Sequence, residues 1–427
     1  MIPGMSKKFE ALRGMEDLLP GEVEKWQWVE EKARIFFEAH GYKEIRTPVL
    51  EITDLFSRSV GESSDIVHKE MFSFEDRGGR NVTLRPEMTA SVARAVIEHG
   101  LLKTNKSLRL YYLGPMFRAE RPQAGRKRQF HQIGIEIINE TGVAADFESI
   151  SLLFRFLKYA GVDEPKIRIN DLGSAEDQKK TAQALHDYFS AEKGKLCQDC
   201  QWRLEKNVLR IFDCKVASCQ PVIQAAPWEK IAPLSPDFEK LLADLTRHHI
   251  PFEIKRRLVR GLDYYNGAVF EVSAEGLGAQ DALAGGGRYD RLYQELGESQ
   301  RTPCTGFSIG LERLLAALEK SGKISRIVDA RKIYLAPLDG GCEVLAFCNQ
   351  RAIEMREKGL RVETTPGEFS LSKHLKKANQ LGVGWVMIAG PDEVKKGRVA
   401  LKNMNEKTQT EIEAAKLASY LQGAISI

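Results

Sequence analysis

No stretch of the 427 residues is apolar over a length that would cross a bilayer. The opening MIPGMSKKFEALRGMEDLLP has no apolar core of the kind a secretory signal carries. A cytoplasmic setting without a membrane partner is the expectation. An excess of one charge is also missing: 63 Lys and Arg stand against 59 Asp and Glu, leaving +4, too little to demand a nucleic-acid partner by itself. Cysteine is scarce, with seven residues, which excludes a disulfide framework in a chain of this length. There is no P-loop and no HExxH, so two common catalytic architectures are set aside. What remains, 43% hydrophobic and 29% charged, is an ordinary globular composition with length enough for two or three domains.

The cysteines that are present are not scattered. Cys197 and Cys200 stand as CQDC, and Cys214 and Cys219 follow. The first pair has metal-knuckle spacing, and the second, with four residues between its members, can complete a four-cysteine zinc site. A reduced, metal-free set is the alternative. Charge is concentrated too. RAERPQAGRKR, residues 118–128, holds five Arg or Lys and one Glu, a field suited to phosphate or, equally, a solvated loop.

Periodicity predicts a helix over 21–40, with Trp26, Val29, Ala33, Phe36 and Phe37 on one face, and another over 89–99. YKEIRTPVLE reads as a strand that Pro48 ends. LRLYYLGPMFRAE and RQFHQIGIEIIN flank the basic segment as the arms of a hairpin. On the second arm Gln132, Gly134 and Glu136 share one face, either solvated or part of a polar pocket. Residues 257–272, RLVRGLDYYNGAVFEV, read as a strand with a polar interruption. From about 171 to 249 the texture turns polar, helical and then proline-rich, as an inserted subdomain would. GFSIGLERLLAALEK is a short strand turning into a helix. Beyond a linker near 321–332, strands alternate with helices: strands at KIYLAPL, LRVETT, WVMIAG and RVALKN, and helices over 342–358, 371–381 and 411–421. That pattern predicts a compact α/β domain. Its helix over 371–381 carries Lys373, Lys376 and Lys377, either a solvated face or a docking surface for RNA.

Arg118 at a strand end, Arg260 before a glycine and Arg313 in a helix stand in structured surroundings. Three guanidiniums on separate elements, near glycine-rich backbone, suit a site that stabilises charge at phosphorus. Such chemistry runs on positioning and electrostatics and requires no nucleophilic side chain.

RGMEDLLP, FRAERPQAGRKRQFHQIGIE, RGLDYY, GGGRYD and GFSIGLERL, in this order over nearly the whole chain, resemble histidyl-tRNA synthetase, a class II aminoacyl-tRNA synthetase. Motif 1 resembles the stretch ending in EIRTPVLE, motif 2 the hairpin around Arg118, and motif 3 GFSIGLERL. The resemblance implies an α+β class II catalytic core on an antiparallel sheet (residues 1–170 and 251–325), an inserted subdomain (171–250) and a C-terminal α/β anticodon-binding domain (331–427). It implies a homodimer paired through motif 1, with histidine, ATP, Mg2+ and tRNA(His) as ligands. By the same resemblance Arg118, Arg260 and Arg313 act in catalysis. Glu120, Arg126 and Phe130 join Arg118 and Arg313 on ATP. Glu87, Met88, Thr89 and Gln132 meet the amino-acid end of histidine, beside Arg118 and Arg260. Glu136, Tyr264 and Tyr265 meet its ring. Lys127 and Met88 depart from the residues common at their positions. The resemblance leaves zinc at the cysteines open.

Three rival readings make different demands. A catalytically silent paralogue that regulates histidine biosynthesis usually lacks the C-terminal domain. An RNA-binding or sensing module needs no intact arginine set. A class II synthetase for another amino acid has no use for Glu136 with paired tyrosines.

Overall fold

The two arms around the basic segment, Leu108–Phe117 and Gln129–Ile138, pair antiparallel along their full length, from Leu108↔Ile138 to Phe117↔Gln129. They belong to a computed structural model that describes residues 9–61, 64, 66–122, 125–232, 234–274, 282–322, 324 and 332–425. Its contacts divide the chain into residues 1–317 and 318–427. Most of the linker near 321–332 lies outside the described residues.

In the first unit an eight-stranded sheet runs Lys43–Glu44, Leu108–Phe117, Gln129–Ile138, Cys304–Gly310, Ala282–Arg288, Asn266–Ser273, Lys166–Asp171, Phe252–Ile254. The interior pairings are antiparallel, and only the two outermost strands run parallel to their neighbours. Alternation gives the sheet its core: Ile133, Ile135 and Ile137 are fully buried on one side of the hairpin arm. Helix Val23–Ala39 buries Trp26, Val29, Ala33 and Phe37, while helix Thr89–Glu98 buries Ala90, Ala93 and Val96, as their spacing predicts. A three-stranded sheet, Leu50–Ile52, Asn81–Leu84 and Phe72–Glu75, carries the motif 1 segment. Arg85, buried, donates to the carbonyls of Thr47 at 2.8 Å and Pro115 at 3.0 Å, tying that segment to the hairpin.

Between Lys166–Asp171 and Phe252–Ile254 the chain leaves the sheet and forms helices. The longest is Ala175–Ala191, whose Ser174 and Asp177 make a capping box. Helices Gln198–Lys206 and Pro236–Arg247 follow. A separate apolar cluster, including Leu185, Phe189, Leu204, Val222 and Trp228, holds this insertion together.

Two expectations fail locally. Residues 257–265 are not a strand; regular pairing begins only at Asn266, because a run holding Arg260, Asp263 and two tyrosines leaves the ladder to face a cavity. In the second unit the helix predicted over 411–421 starts at Leu417. Thr408–Glu413 is instead a strand, antiparallel to Arg398–Asn403. TQTEIE alternates with a period of two and turns Ile412 against the apolar core, so period two prevails until the apolar helical spacing of Leu417, Ala418 and Leu421 begins. The rest of that unit is a five-stranded sheet ordered Arg361–Thr364, Lys332–Pro337, Trp385–Ala389, Arg398–Asn403, Thr408–Glu413, with apolar clusters around it.

Candidate active site

A cavity of about 830 Å³ opens over the sheet where the hairpin, the 257–265 segment, the glycine run and the motif 3 strand meet. Its lining includes Glu87, Thr89, Arg118, Glu120, Arg126, Phe130, Gln132, Glu136, Arg260, Tyr264, Tyr265 and Arg313. Of the predicted ligand-contacting residues, Met88 is the exception. Its side chain is buried in an apolar cluster, and its sulfur accepts a hydrogen bond from Thr47 at 3.2 Å. A long apolar side chain at the start of a helix packs inward, and only its backbone stays near the cavity.

One end of the cavity is lined by buried side chains. Glu136 is 1% exposed; it accepts a hydrogen bond from Thr89 Oγ1 at 2.8 Å and another from the Tyr289 hydroxyl. Burial, opposed by these two bonds, pushes its carboxyl up to about 8. The rings of Tyr264 and Tyr265 lie 4.7 Å apart, and Tyr264 meets Tyr289 at 5.6 Å. Burial raises the Tyr265 phenol to about 12, although Arg260 opposes it. Glu87 is buried and accepts from the backbone N–H groups of Thr89 at 2.7 Å and Ala90 at 2.8 Å, so it caps its helix while facing the cavity. Burial raises its carboxyl too.

The other end is rich in cations. Arg118 donates from Nε to the Pro86 carbonyl at 3.0 Å and lies 5.1 Å over the Phe130 ring. Arg260 pairs with Glu271 at 2.9 Å, and Arg126 with Glu120 at 2.8 Å. Arg313 donates to the carbonyls of Gly125, at 3.0 Å, and Ala282. Burial first, and Arg126 second, pushes the Arg313 guanidinium below its ordinary value. This crowding of positive charge favours an anionic ligand.

The glycines have specific reasons. A Cβ on Gly285 would sit 2.1 Å from Nη2 of Arg260, and one on Gly286 would sit 2.2 Å from the Gly306 carbonyl oxygen. A Cβ on Gly306 would strike the Glu136 carboxylate. These positions are bare because functional groups occupy the space.

A model of the histidyl-tRNA synthetase family matches residues 14–196 and 213–314, and a model of an anticodon binding domain matches 332–424. The chain belongs to the histidyl-tRNA synthetase family. It is 45% identical to the histidine–tRNA ligase of Geobacillus thermodenitrificans, with 97% of this chain and 98% of that one covered. It is 41% identical to the histidine–tRNA ligase of Dehalococcoides mccartyi, with 98% and 100% covered. The crystal structure of apo S. aureus histidyl-tRNA synthetase matches with a TM-score of 0.71 at 30% identity, covering 97% of this chain and all of that one. The class II synthetase core and the C-terminal anticodon-binding domain expected from the motifs are both present. A full-length match of this kind is not what a paralogue lacking the C-terminal domain would give.

Within this synthetase fold, sequence reasoning assigned no role to several residues that line the cavity, among them Tyr112, Glu271, Tyr289 and Ser308. Ser308 accepts from Gln132 at 3.3 Å. Tyr289 was legible in principle. GGGRYD alternates along a strand and its exit, so Arg288 and Asp290 point away from Tyr289. Arg288 pairs with Asp146 at 2.9 Å and Asp290 at 3.1 Å in a buried network, leaving Tyr289 for the cavity.

In the insertion, the sulfurs of Cys197, Cys200, Cys214 and Cys219 all lie within 4.8 Å of one another, and none is in a disulfide. Zinc held by four thiolates at about 2.3 Å separates its sulfurs by roughly 3.8 Å; Cys197 and Cys214 stand 3.9 Å apart. The donor set fits that ion. Among the described residues no helix is long and apolar enough to cross a membrane.

Proposed function

We propose that the chain is a histidine–tRNA ligase, which activates L-histidine with ATP to histidyl-adenylate and pyrophosphate and then transfers the histidyl group to the 3′ end of tRNA(His). The observation that carries this reading is one cavity with a buried carboxyl and phenols at one end and the guanidiniums of Arg118, Arg126, Arg260 and Arg313 at the other.

Histidine enters ring first. Glu136 and Tyr265 serve the two ring nitrogens, with Tyr264 packed beside them. A site built from buried hydrogen-bonding groups rejects analogues that leave those groups unpaired, by roughly 10⁴-fold or more. Glu87, Thr89 and Gln132 receive the ammonium and carboxylate. In the first step a carboxylate oxygen of histidine bonds to the α-phosphorus of ATP while the bond to the bridging oxygen breaks and pyrophosphate leaves. The attacking carboxylate is already ionised, so no side chain has to take a proton. Arg118 bridges that carboxylate and the α-phosphate, and Arg260 meets the charge that builds on the α-phosphate. Arg313 holds the outer phosphates, Glu120 and Arg126 contact the nucleotide, and Phe130 stacks on adenine. In the second step a ribose hydroxyl at the tRNA 3′ end bonds to the histidyl carbonyl carbon and AMP leaves.

Bound with ATP, Mg2+ would share the phosphate charge; it needs few carboxylates, and Glu120 and Glu271, which line the cavity, would help hold it. The four cysteines of the insertion hold one structural zinc ion. Residues 1–170 and 251–325 form the catalytic core around the insertion 171–250, and 331–427 reads the anticodon in the cytoplasm. The exposed apolar side chains Val49, Leu50, Ile52 and Phe74 beside motif 1 meet a second copy in a homodimer.

The test is ATP–pyrophosphate exchange with each proteinogenic amino acid in turn. Histidine alone is expected to support exchange; a higher rate with any other amino acid overturns the assignment.

A further inference from the structure

We infer that the four-cysteine site sets the position of the segment carrying Arg260, Tyr264 and Tyr265, so that metal in the insertion governs the first reaction step without touching a reacting atom. This rests on the reading of the cysteines as a zinc site.

Residues 257–265 have no strand partners of their own and must be held from outside. Their first part is held by the core: the Asn170 side-chain amide donates to the carbonyls of Arg256 at 2.9 Å and Leu258 at 3.0 Å. In their second part Tyr264 and Tyr265 pack into a core cluster, while the insertion grips Asp263 between them and Arg260. Asn207 donates to Asp263 Oδ1 at 2.9 Å, and the Arg210 guanidinium stands 4.0 Å from the same oxygen. The backbone N–H of Asp263 adds a bond to the Val60 carbonyl at 3.2 Å.

Asn207 and Arg210 lie between two metal ligands. Cys200 is in helix Gln198–Lys206, and Cys214 follows the 3₁₀ turn Val208–Asp213. Backbone N–H groups already point at the sulfurs: Cys197 donates to Cys219 at 3.2 Å and Val216 to Cys214 at 3.4 Å. Three of the four cysteines are buried, within the apolar cluster that holds the insertion. One ion joining Cys200 and Cys214 therefore pins both ends of the short stretch that grips Asp263. The lever is short, because Arg260 is three residues before Asp263 and Tyr264 directly follows it. Cys197 and Cys214 themselves reach the wall of the same cavity.

The experiment uses the full-length protein. About one zinc per chain is expected by elemental analysis, and cobalt substitution should give the absorption of tetrahedral thiolate ligation. Removing the metal under reducing conditions should raise hydrogen exchange in residues 257–265 while 332–425 stay unchanged. Pyrophosphate exchange should fall about tenfold or more and return on adding zinc. Asn207→Ala should keep its metal yet raise exchange in the same segment and slow adenylation, which keeps the test decisive if metal-free protein loses the whole insertion. Absence of metal overturns the zinc assignment itself. Metal present, with 257–265 equally protected in Asn207→Ala, overturns the coupling and leaves the zinc assignment standing.

Discussion

At the ring end of the cavity the side chains are buried and bonded to one another. Glu136 is held by Thr89 and Tyr289, and Glu87 by two backbone N–H groups. At the phosphate end the chemistry is carried by arginines that stay partly exposed, as with Arg260, whose side chain is 23% exposed. Among the described residues, Arg118 and Arg260 each donate one hydrogen bond to the protein and Arg313 donates two. The difference follows from the ligands. A neutral ring must be recognised by hydrogen-bonding groups that water cannot replace, whereas a polyphosphate brings charge that needs mobile, hydrated cations until it arrives. On the proposed reading, selection belongs to the first end and rate to the second.

Arg260→Ala should separate them most sharply. Adenylate formation is expected to fall by about 10²–10³-fold, with histidine affinity changed only a few-fold, read by single-turnover kinetics beside calorimetry. Equal losses in both would mean that the two ends are not independent. Glu136→Gln should do the reverse: histidine binding weakens by about 10- to 100-fold, the cost of leaving a buried ring nitrogen poorly paired, and the rate from bound substrate falls less.

The pH dependence sharpens the same contrast. Burial keeps the Glu136 carboxyl protonated in the empty site up to about 8. Bound neutral histidine shares that one proton, so above pH 8 binding must take a proton from solvent. Affinity should then fall about tenfold per pH unit, and it should also fall below about 6.5, where free histidine carries an extra proton. Glu136→Gln should abolish the alkaline limb, as titration calorimetry can show. The sign for stability is the opposite of a paired carboxylate. The folded chain keeps a proton that the unfolded chain loses above its ordinary value of 4.5, so this group costs stability as pH rises from there to about 8.

A smaller effect is expected at the glycine run. Gly285→Ala pushes a methyl into Arg260 and should slow adenylation about tenfold with histidine affinity intact. The smallest change lies outside the cavity. Replacing the exposed Lys373, Lys376 and Lys377 with alanine should raise the KM for tRNA a few-fold, with a shallower salt dependence, and leave pyrophosphate exchange untouched.

Some of this was legible along the chain because it depends on neighbours in sequence. Trp26, Val29, Ala33 and Phe37 declare their helix by spacing, and the isoleucines from Ile133 to Ile137 declare their strand. Arg118, Arg260 and Arg313 were recognisable from the motifs that carry them. Residues 411–413 were joined to the following helix because the strand that pairs with them, Arg398–Asn403, is not visible in the segment itself. At Met88 the motif fixes the backbone position, while packing turns the side chain into an apolar cluster.

The sequence by itself determined which residue types were available, the order of the motifs and the two periodicities from which both sheets are built. Those are local properties, fixed by how a backbone alternates or turns. Only the tertiary structure decided that Tyr289 holds Glu136 and that Arg260 rests on the bare backbone of Gly285. Each of these joins elements that the sequence separates by tens of residues or more, and burial, which gives Glu136 its raised carboxyl, exists only once the elements have packed.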